Sequence, residues 1–176
     1  MSLDLKDAKI ITDILEWGYT KLKPDEIDVI WASPPCTEYS KARTTGIRNI
    51  DYANRIVKKT LAIIRYLNCK YWFFENPQTG LLKNHNFMFG LPYFDVDYCK
   101  YGMKYRKRTR IWTNDVKSWK PQPLCKKDCE SIVSGRHIET AQRGSSKSHI
   151  NNKHTQNDLY VIPSKLITEI FLSLEF

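Results

Sequence analysis

The chain has 176 residues, of which 41% are hydrophobic, and this predicts one domain with a buried core and room for a small appendage. It has no apolar run of about 18 residues, which argues against a transmembrane helix, and no secretory signal is visible. The formal net charge is +9, divided into −3 for residues 1–28 and +12 for the remainder. A basic body of this kind suits a polyanionic partner such as DNA, with ordinary solubility charge as the alternative.

The five cysteines are too sparse and uneven for a disulfide framework. They favour a reducing compartment. We therefore expect a cytoplasmic location, in a host cell or in the bacterial cytosol, and no membrane partner.

The N-terminal segment contains two short apolar stretches, Ser2–Leu5 and Ile10–Ile14, which we interpret as strand ends. Each carries an acidic residue, Asp4 in the first and Asp13 in the second. The alternative is that both are ordinary exposed polar residues. The first glycine of the chain is Gly18, so no glycine-rich turn accompanies these strands.

A buried strand is predicted at Asp28–Ala32, and Ser33-Pro34-Pro35 ends it because each proline fixes φ and removes a backbone donor. Cys36 follows at once. A thiol on a stiff loop at the carboxyl end of a strand is placed as a nucleophile requires. A buried structural cysteine is the alternative.

The next segment is predicted to be a loop, Thr44–Asn49, followed by a helix that is capped by Asp51 and ends at Leu67. Arg43 and Arg48 beside the loop are candidates for phosphate contacts. The predicted apolar face of the helix consists of Ala53, Ile56, Leu61, Ile63, Ile64 and Leu67.

A second buried strand, Tyr71–Phe74, is predicted to end at Glu75, where Asn76-Pro77 forces a turn. Desolvation by the apolar neighbours is expected to raise the pKa of Glu75. A carboxyl group of that kind can donate or share a proton near neutral pH.

Two further strands are predicted at Pro92–Tyr98 and Arg110–Thr113. Arg106, Arg108 and Arg110 alternate, so on a strand they would share one face and need anionic partners or strong solvation. Lysines surround them, and Tyr101 and Tyr105 are interleaved, a mixture that suits a nucleic-acid surface. A solvated basic strand is the alternative.

Three motifs in this order resemble the DNA cytosine-5 methyltransferase family. They are Pro34-Pro35-Cys36 with Tyr39-Ser40, Glu75-Asn76-Pro77 with Gly80-Leu81, and Arg106-Lys-Arg108-Thr-Arg110. Thr37 replaces the family's Gln, Tyr39 its Phe, and Arg106 the Gln of the third motif. The matched core runs from about Asp28 to Trp112, roughly half of the chain.

The resemblance implies a catalytic role for Cys36, Glu75, Arg108 and Arg110. Cys36 would attack carbon 6 of a flipped cytosine, and Glu75 would bind its N3 and amino group. Arg110 would hold the carbonyl oxygen of the base, and Arg108 would fix the loop or a phosphate. The partner implied is DNA, and the methyl donor is S-adenosyl-L-methionine.

The cofactor residues implied by the resemblance are Asp4, for the ribose, Asp13, for the adenine, and Pro34 and Asn157. The family's opening strand and its Phe-x-Gly-x-Gly turn have no counterpart here. The fold class expected is therefore α/β, a Rossmann-like methyltransferase sheet that lacks its first strand and helix. A second polypeptide that supplies the missing motif is one explanation, and truncation or weakened cofactor binding are others.

Three regions are predicted: a partial catalytic core at 1–113, a small target-recognition region at 114–156, and a C-terminal helix at 157–176 that returns to the core. Asn157 to Pro163, followed by an apolar helix, resembles the family's closing motif. Pro163 is expected in the first turn of this helix, with Leu166, Ile167, Ile170 and Phe171 on one side.

Cys125, Cys129 and His137 form a possible zinc set, with Cys99 or His149 as a candidate fourth ligand. Their spacing fits no standard zinc finger, so we expect no metal and take ordinary free thiols as the first interpretation. Metal binding, as in a small structural zinc protein that binds nucleic acid, is the alternative.

The function predicted is methyl transfer to carbon 5 of cytosine in DNA, in a viral, phage or restriction-modification setting. The alternative is a catalytically impaired DNA-binding relative, or one subunit of a split methyltransferase.

Overall fold

The computed structural model describes residues 1–6, 8–141 and 154–175. Within them the chain forms a mixed α/β structure with eight strands and three α-helices, in agreement with the predicted α/β class. In chain order these are β1 (Leu3–Asp4), β2 (Ile10–Ile11), β3 (Val29–Ala32), α1 (Ile50–Leu67), β4 (Tyr71–Pro77), β5 (Tyr93–Asp97), β6 (Arg108–Thr113), β7 (Ile132–Val133), β8 (Arg136–His137), α2 (Gln156–Tyr160) and α3 (Ser164–Ser173).

The chain divides into two compact units, and β6 contributes to both. The first unit contains Met1–Pro92 and Trp112–Asn114, and the second contains Tyr93–Ile111 and Asp115–Phe176. The predicted regions 1–113, 114–156 and 157–176 were assigned by function, whereas these two units are defined by compact packing. The functional assignments stay predictions.

Parallel strands form the centre of the first unit. β3 pairs with β4 in parallel, with Val29 opposite Tyr71 and Ala32 opposite Phe74. The end of β6 lies on the other side of β4. Both predicted N-terminal strand ends are present as well, because β1 pairs in parallel with β2 in a separate two-stranded sheet.

Helix α1 connects β3 to β4, as its apolar periodicity predicts, but its cap is not Asp51. The helix begins at Ile50, two residues earlier than a cap at Asp51 implies, and the side chain of Asn49 accepts a hydrogen bond from the Tyr52 N–H at 3.1 Å. Asp51 lies in the first turn, where its charge favours the positive end of the helix dipole. The buried face includes Val57, which was not predicted, while Leu61 is only partly buried.

Strand β4 is longer than predicted, since it continues through Glu75, Asn76 and Pro77. Proline is tolerated at the end of a strand, where its missing N–H removes no ladder hydrogen bond. The turn follows at once, as the Gly80 N–H bonds to the Pro77 carbonyl at 3.0 Å. Phe73 and Phe74 are fully buried, and Phe74 meets Trp112 edge to face at 5.8 Å between ring centroids.

In the second unit, β5 lies beside the beginning of β6. Arg108 pairs with Asp97 and Arg110 with Asp95, so residue numbers fall along β5 as they rise along β6, and the two strands are antiparallel. Arg106 precedes β6 and is exposed. The predicted face of three arginines is therefore wrong, and it contains two.

Helix α3 packs within the second unit through Leu166 and Ile170, which are fully buried. Pro163 is the residue just before the first turn, one position earlier than predicted. Phe171, which was predicted on the same side of the helix, is 42% exposed. The Glu169 carboxylate of this helix accepts hydrogen bonds from Trp119 Nε1 at 3.0 Å and Gln122 Nε2 at 3.1 Å.

The predicted mixture of cations and tyrosines on a surface near β6 is wrong in its aromatic part. Tyr101 and Tyr105 are only 4% and 2% exposed, because these large rings contribute apolar area to the core and their hydroxyls find partners. The Tyr101 hydroxyl accepts a hydrogen bond from the Gln122 N–H at 2.9 Å, and that of Tyr105 lies 3.4 Å from the Asp158 carbonyl.

Among the helices of the described residues, none is both long and apolar enough to cross a membrane.

Candidate active site

The loop that carries Cys36 begins where β3 ends. Ser33, Pro34 and Pro35 leave the sheet, and Cys36 then precedes a short 3-10 turn, Thr37–Tyr39. Cys36 is half-buried, neither enclosed in the core nor fully exposed. This is the placement that the two prolines and the following cysteine predict.

Two hydrogen bonds tie this loop to the segment that follows β4. The Asn76 side-chain amide donates to the Pro34 carbonyl at 3.0 Å, and the Leu81 N–H donates to the Tyr39 carbonyl at 2.9 Å. A Cβ atom at Gly80 would lie 3.1 Å from the Pro77 carbonyl oxygen and 3.4 Å from that of Tyr39, so the close approach favours glycine.

Glu75 therefore lies at the same edge of the parallel pair as the loop that carries Cys36. Carboxyl ends of neighbouring parallel strands meet at one edge, and Ala32 is paired with the residue that precedes Glu75. The Glu75 side chain is buried, with 6% of the residue exposed. The structure thus places the loop of the first motif and the strand end of the second motif at one edge of the sheet. The expected rise in the Glu75 pKa stays a prediction.

Tyr39 anchors the Cys36 loop in the hydrophobic core. The residue is fully buried, and its hydroxyl donates a hydrogen bond to Asn54 Oδ1 on α1 at 2.8 Å. Burial raises the pKa of Tyr39 to about 12, so the hydroxyl keeps its proton throughout the physiological range. The position of the loop is consequently fixed by core packing as well as by hydrogen bonds.

Glu38 organises the residues after Cys36, a role that sequence reasoning missed. Its carboxylate forms an ion pair with Arg43 and accepts the Asn49 N–H at 2.6 Å. Arg48 donates to the Glu38 carbonyl at 2.7 Å and to the Arg43 carbonyl at 2.8 Å. In the structure Arg43 and Arg48 thus order the predicted loop Thr44–Asn49, and their contacts with phosphates stay a prediction.

Arg108 and Arg110, in the second unit, are each held by a carboxylate in a two-point hydrogen bond. Arg108 binds Asp97 at 2.9 and 2.7 Å, and Arg110 binds Asp95 at 2.8 and 2.9 Å. The hydrogen bonds that Arg108 donates to the Asp97 carboxylate raise the pKa of Arg108 above its usual range. The Arg110 guanidinium also lies 3.5 Å from the centroid of the Tyr93 ring.

The anionic partners that alternating arginines require are therefore present. Asp95 and Asp97 alternate on β5 in the same way as Arg108 and Arg110 alternate on β6. This matched spacing was visible in the sequence and is the signal that could have identified both pairs.

Comparison with known proteins decides the family. The profile of a family described as C-5 cytosine-specific DNA methylase matches residues 4–106, which include Cys36 and Glu75 and end before Arg108. The chain belongs to the C-5 cytosine-specific DNA methylase family. A relative named "Probable DNA (cytosine-5)-methyltransferase", from Frog virus 3 (isolate Goorha), is 36% identical over 192 residues that cover 97% of this chain and 86% of the relative.

The resemblance predicted from three short motifs is thereby confirmed, and with it the enzyme class and DNA as the family's substrate. A viral relative also agrees with the expected viral setting.

Within this DNA methylase, the residues predicted to bind the cofactor lie on separate elements. Asp4 ends β1 and is exposed, and its carboxylate accepts the Leu5 N–H at 2.6 Å. Asp13 follows β2 and accepts the Leu15 N–H at 2.9 Å. Asn157, in the second unit, is an exposed residue in the first turn of α2.

The hydrogen-bond acceptors of the first unit fit a cofactor that carries hydroxyl and amino groups. Asp4 and Asp13 place carboxylates at or just beyond the ends of two paired parallel strands, where they can accept hydrogen bonds from hydroxyl or amino groups. Asn76, whose amide nitrogen holds Pro34, has a buried Oδ1 with no hydrogen-bond partner among the described residues. A buried acceptor of this kind is suited to a ligand donor.

A second group of reactive side chains lies elsewhere in the DNA methylase, in its second unit. The ligand atoms of Cys99, Cys125, Cys129 and His137 all lie within 4.8 Å of one another. Cys99 thus joins the three residues of the alternative zinc prediction. His149, the other candidate fourth ligand, lies outside the described residues.

The loop around Glu38 gives a testable pH dependence. Hydrogen bonding to Arg43, and then to the Asn49 N–H, lowers the pKa of Glu38 below its usual range. A depressed carboxyl pKa contributes stability above the unfolded-state value of about 4.3, and that contribution is lost as the pH falls through the folded-state value. We expect the Asn49 amide NMR signal to follow this titration, and Glu38→Gln to abolish it.

Limited trypsin digestion at neutral pH provides the second measurement for the same loop. Glu38→Gln is expected to accelerate cleavage at Arg43 and Arg48, while Glu16→Gln, a change at an exposed residue of the same unit, leaves the rate unchanged. Equal cleavage of wild-type and Glu38→Gln protein would show that Glu38 does not order the loop.

Proposed function

We propose that this chain transfers a methyl group from S-adenosyl-L-methionine to carbon 5 of a flipped cytosine in DNA, through a covalent adduct with Cys36. The observation that supports this most directly is the parallel pairing of β3 with β4, reinforced by the hydrogen bond between Asn76 and the Pro34 carbonyl. It holds a half-buried thiol, on the loop after β3, and a buried carboxyl group, near the end of β4, at one edge of a sheet.

The chemistry requires both groups. Carbon 5 of cytosine is a poor nucleophile until an electron pair is added to the ring. In our proposal the Cys36 thiolate forms a bond to carbon 6, and the electrons of the C5–C6 double bond become available at carbon 5. Glu75 donates a hydrogen bond or proton to N3 and accepts one from the amino group, which compensates the negative charge that develops on the ring.

The adduct then collapses. After methylation, water takes the proton from carbon 5, the electrons of that C–H bond restore the double bond, and the C6–S bond breaks to release the Cys36 thiolate, so that the free enzyme is regenerated. S-Adenosyl-L-methionine, when bound, supplies the electrophilic methyl group for this reaction. We propose that Asp4, Asp13, Pro34 and Asn157 hold it, with the carboxylates on its hydroxyl and amino groups.

The remaining roles follow the family motifs. We propose that Arg110 binds the carbonyl oxygen of the base and that Arg108 fixes its loop or a phosphate. The bond from Arg108 to Asp97 supports the fixing role, since two-point pairs hold a guanidinium in one orientation. We further propose that the β1–β2 pair and the sheet that contains β3 and β4 are parts of a Rossmann-like methyltransferase sheet, and that residues 114–156 read the target.

A covalent trap tests the proposal. The full chain is incubated with S-adenosyl-L-methionine and a random-sequence duplex library in which 5-fluorocytosine replaces cytosine. Fluorine at carbon 5 cannot leave as a proton does, so the thiolate is not expelled. We expect a DNA adduct that survives denaturation, and peptide mass spectrometry should place it on Cys36.

Two variants make this trap specific. Cys36→Ser should give no adduct, whereas Cys69→Ser should give as much as wild type, because Cys69 is a buried thiol away from the motif. An adduct on another residue, or none although cofactor and DNA both bind, would overturn the role of Cys36. Calorimetry that shows DNA binding without cofactor binding would favour the catalytically impaired DNA-binding relative.

A further inference from the structure

Four side chains in the second unit have the identity and spacing of a metal site. Cys99 lies in the 3-10 turn Tyr98–Tyr101, Cys125 and Cys129 lie in the following irregular segment, and His137 ends β8. Their ligand atoms are all within 4.8 Å of one another, and Cys125 Sγ is 3.6 Å from His137 Nε2. With Zn–S near 2.3 Å and Zn–N near 2.0–2.1 Å, the sulfur-to-nitrogen edge of a zinc tetrahedron is also about 3.6 Å.

We propose that Cys99, Cys125, Cys129 and His137 bind one zinc ion in a closed, structural site. Three thiolates and one imidazole form one of the common structural zinc sets, and they occupy all four tetrahedral positions. No position remains for a water molecule, so the ion stabilises this unit and takes no part in chemistry. The inference stands independently of methyl transfer.

Backbone geometry supports thiolate ligands at this place. The Lys127 N–H points at Cys125 Sγ from 3.3 Å, and Lys127 adopts a left-handed conformation, with φ of 68°, to place it there. The left-handed conformation costs free energy in a residue that has a Cβ atom, and the hydrogen bond to sulfur helps to offset that cost. A backbone N–H that donates to the sulfur orients a thiolate and stabilises its charge, as hydrogen bonds to metal ligands do.

A tight hairpin brings the imidazole to the same point. β7 and β8 pair antiparallel, with Ile132 opposite His137, and Ser134 and Gly135 between them both have positive φ, at 50° and 75°. Two successive residues of this kind are typical of a type I′ hairpin turn, which fixes the register of the strands. The Ile132 N–H also bonds to the Cys129 carbonyl at 3.1 Å, which ties the hairpin to a proposed ligand.

The charges and the local fold are consistent with a bound ion. Zinc with three thiolates has a net charge of −1, and the residue next to Cys99 is a cation, Lys100, whose ammonium pairs with Asp128 at 2.9 Å. Outside the hairpin, the described residues between 115 and 141 form no helix or strand. Small irregular segments of this type commonly depend on a metal or on disulfides for stability.

Metal content tests the proposal. The full chain is produced with zinc in the medium, desalted, and measured by inductively coupled plasma mass spectrometry. We expect about one equivalent of zinc in wild type and less than about a tenth in Cys129→Ser and His137→Ala. Cys69→Ala, which removes a thiol from the first unit, should retain the full equivalent.

A spectroscopic measurement on wild type keeps the test decisive where a variant fails to fold. Replacement of zinc by cobalt should give thiolate charge-transfer bands and the intense d–d bands of a tetrahedral site. Wild-type protein with less than about a tenth of an equivalent of zinc would overturn the proposal. So would a disulfide among Cys99, Cys125 and Cys129 in freshly purified protein, or full metal content in both ligand variants.

Discussion

Cys36→Ala is expected to lower kcat for methyl transfer to DNA by about 10⁴-fold or more, equivalent to about 5.5 kcal/mol or more of transition-state stabilisation. Without the sulfur no bond to carbon 6 can form, and the ring is not activated at carbon 5. The fold should persist, because the loop is held by Tyr39 in the core and by the bond from Asn76 to Pro34 rather than by the thiol alone. Steady-state incorporation of labelled methyl groups into DNA measures the loss.

Cys69→Ala is the matched control for this experiment. Cys69 is buried in the same unit, and desolvation raises the pKa of its thiol to about 11, so it is protonated and unreactive at neutral pH. We expect the kcat of the Cys69→Ala variant to remain within about threefold of that of the wild-type protein. DNA binding by Cys36→Ala should equal that of wild type. If Cys36→Ala kept a tenth or more of the wild-type rate, the covalent mechanism would be excluded.

Asp97→Ala is expected to lower the free energy of unfolding of the second unit by about 3 kcal/mol or more. The Asp97 side chain is fully buried and accepts hydrogen bonds from Arg108 and from the Cys125 N–H at 3.0 Å. Its removal leaves a partly buried guanidinium and a buried N–H without their acceptor, and breaking such a pair from one side is costly. Hydrogen exchange of β6 amides and thermal unfolding both measure the effect.

Asp95→Ala provides the comparison on the same strand. Asp95 forms an equally close two-point pair with Arg110, but its side chain is 18% exposed and the Tyr93 ring still covers the guanidinium after the change. We expect a loss smaller by about 1 kcal/mol or more than that of Asp97→Ala. Equal losses would mean that the Cys125 N–H does not depend on Asp97.

Much of the first unit could be predicted because its signals are local. The apolar runs, the two prolines after Ala32 and the periodic helix fix β3, α1 and β4, and two parallel strands then place Cys36 and Glu75 at one edge. The errors are local as well. Asn49 rather than Asp51 caps α1 because the cap is decided by backbone angles that composition does not specify.

The second unit was less predictable because its contacts are distant in sequence. Cys99 is separated from Cys125 by β6 and a long irregular segment, so spacing alone could not select it over His149. The same limitation explains Tyr101 and Tyr105. A tyrosine among lysines suggests a surface, and only the tertiary packing shows that both rings are buried.

The way in which β6 is divided has a consequence for protein engineering. The strand begins in the second unit, yet Trp112 belongs to the first, where it is 2% exposed and packs with Phe74 in the core cluster. A fragment that stops at Pro92 would lack this ring, and the loss of a buried tryptophan costs about 3–5 kcal/mol. The unit that carries Cys36 is therefore not encoded by one contiguous gene segment. A chimaera that exchanges this unit between homologues must replace residues 112–114 together with residues 1–92.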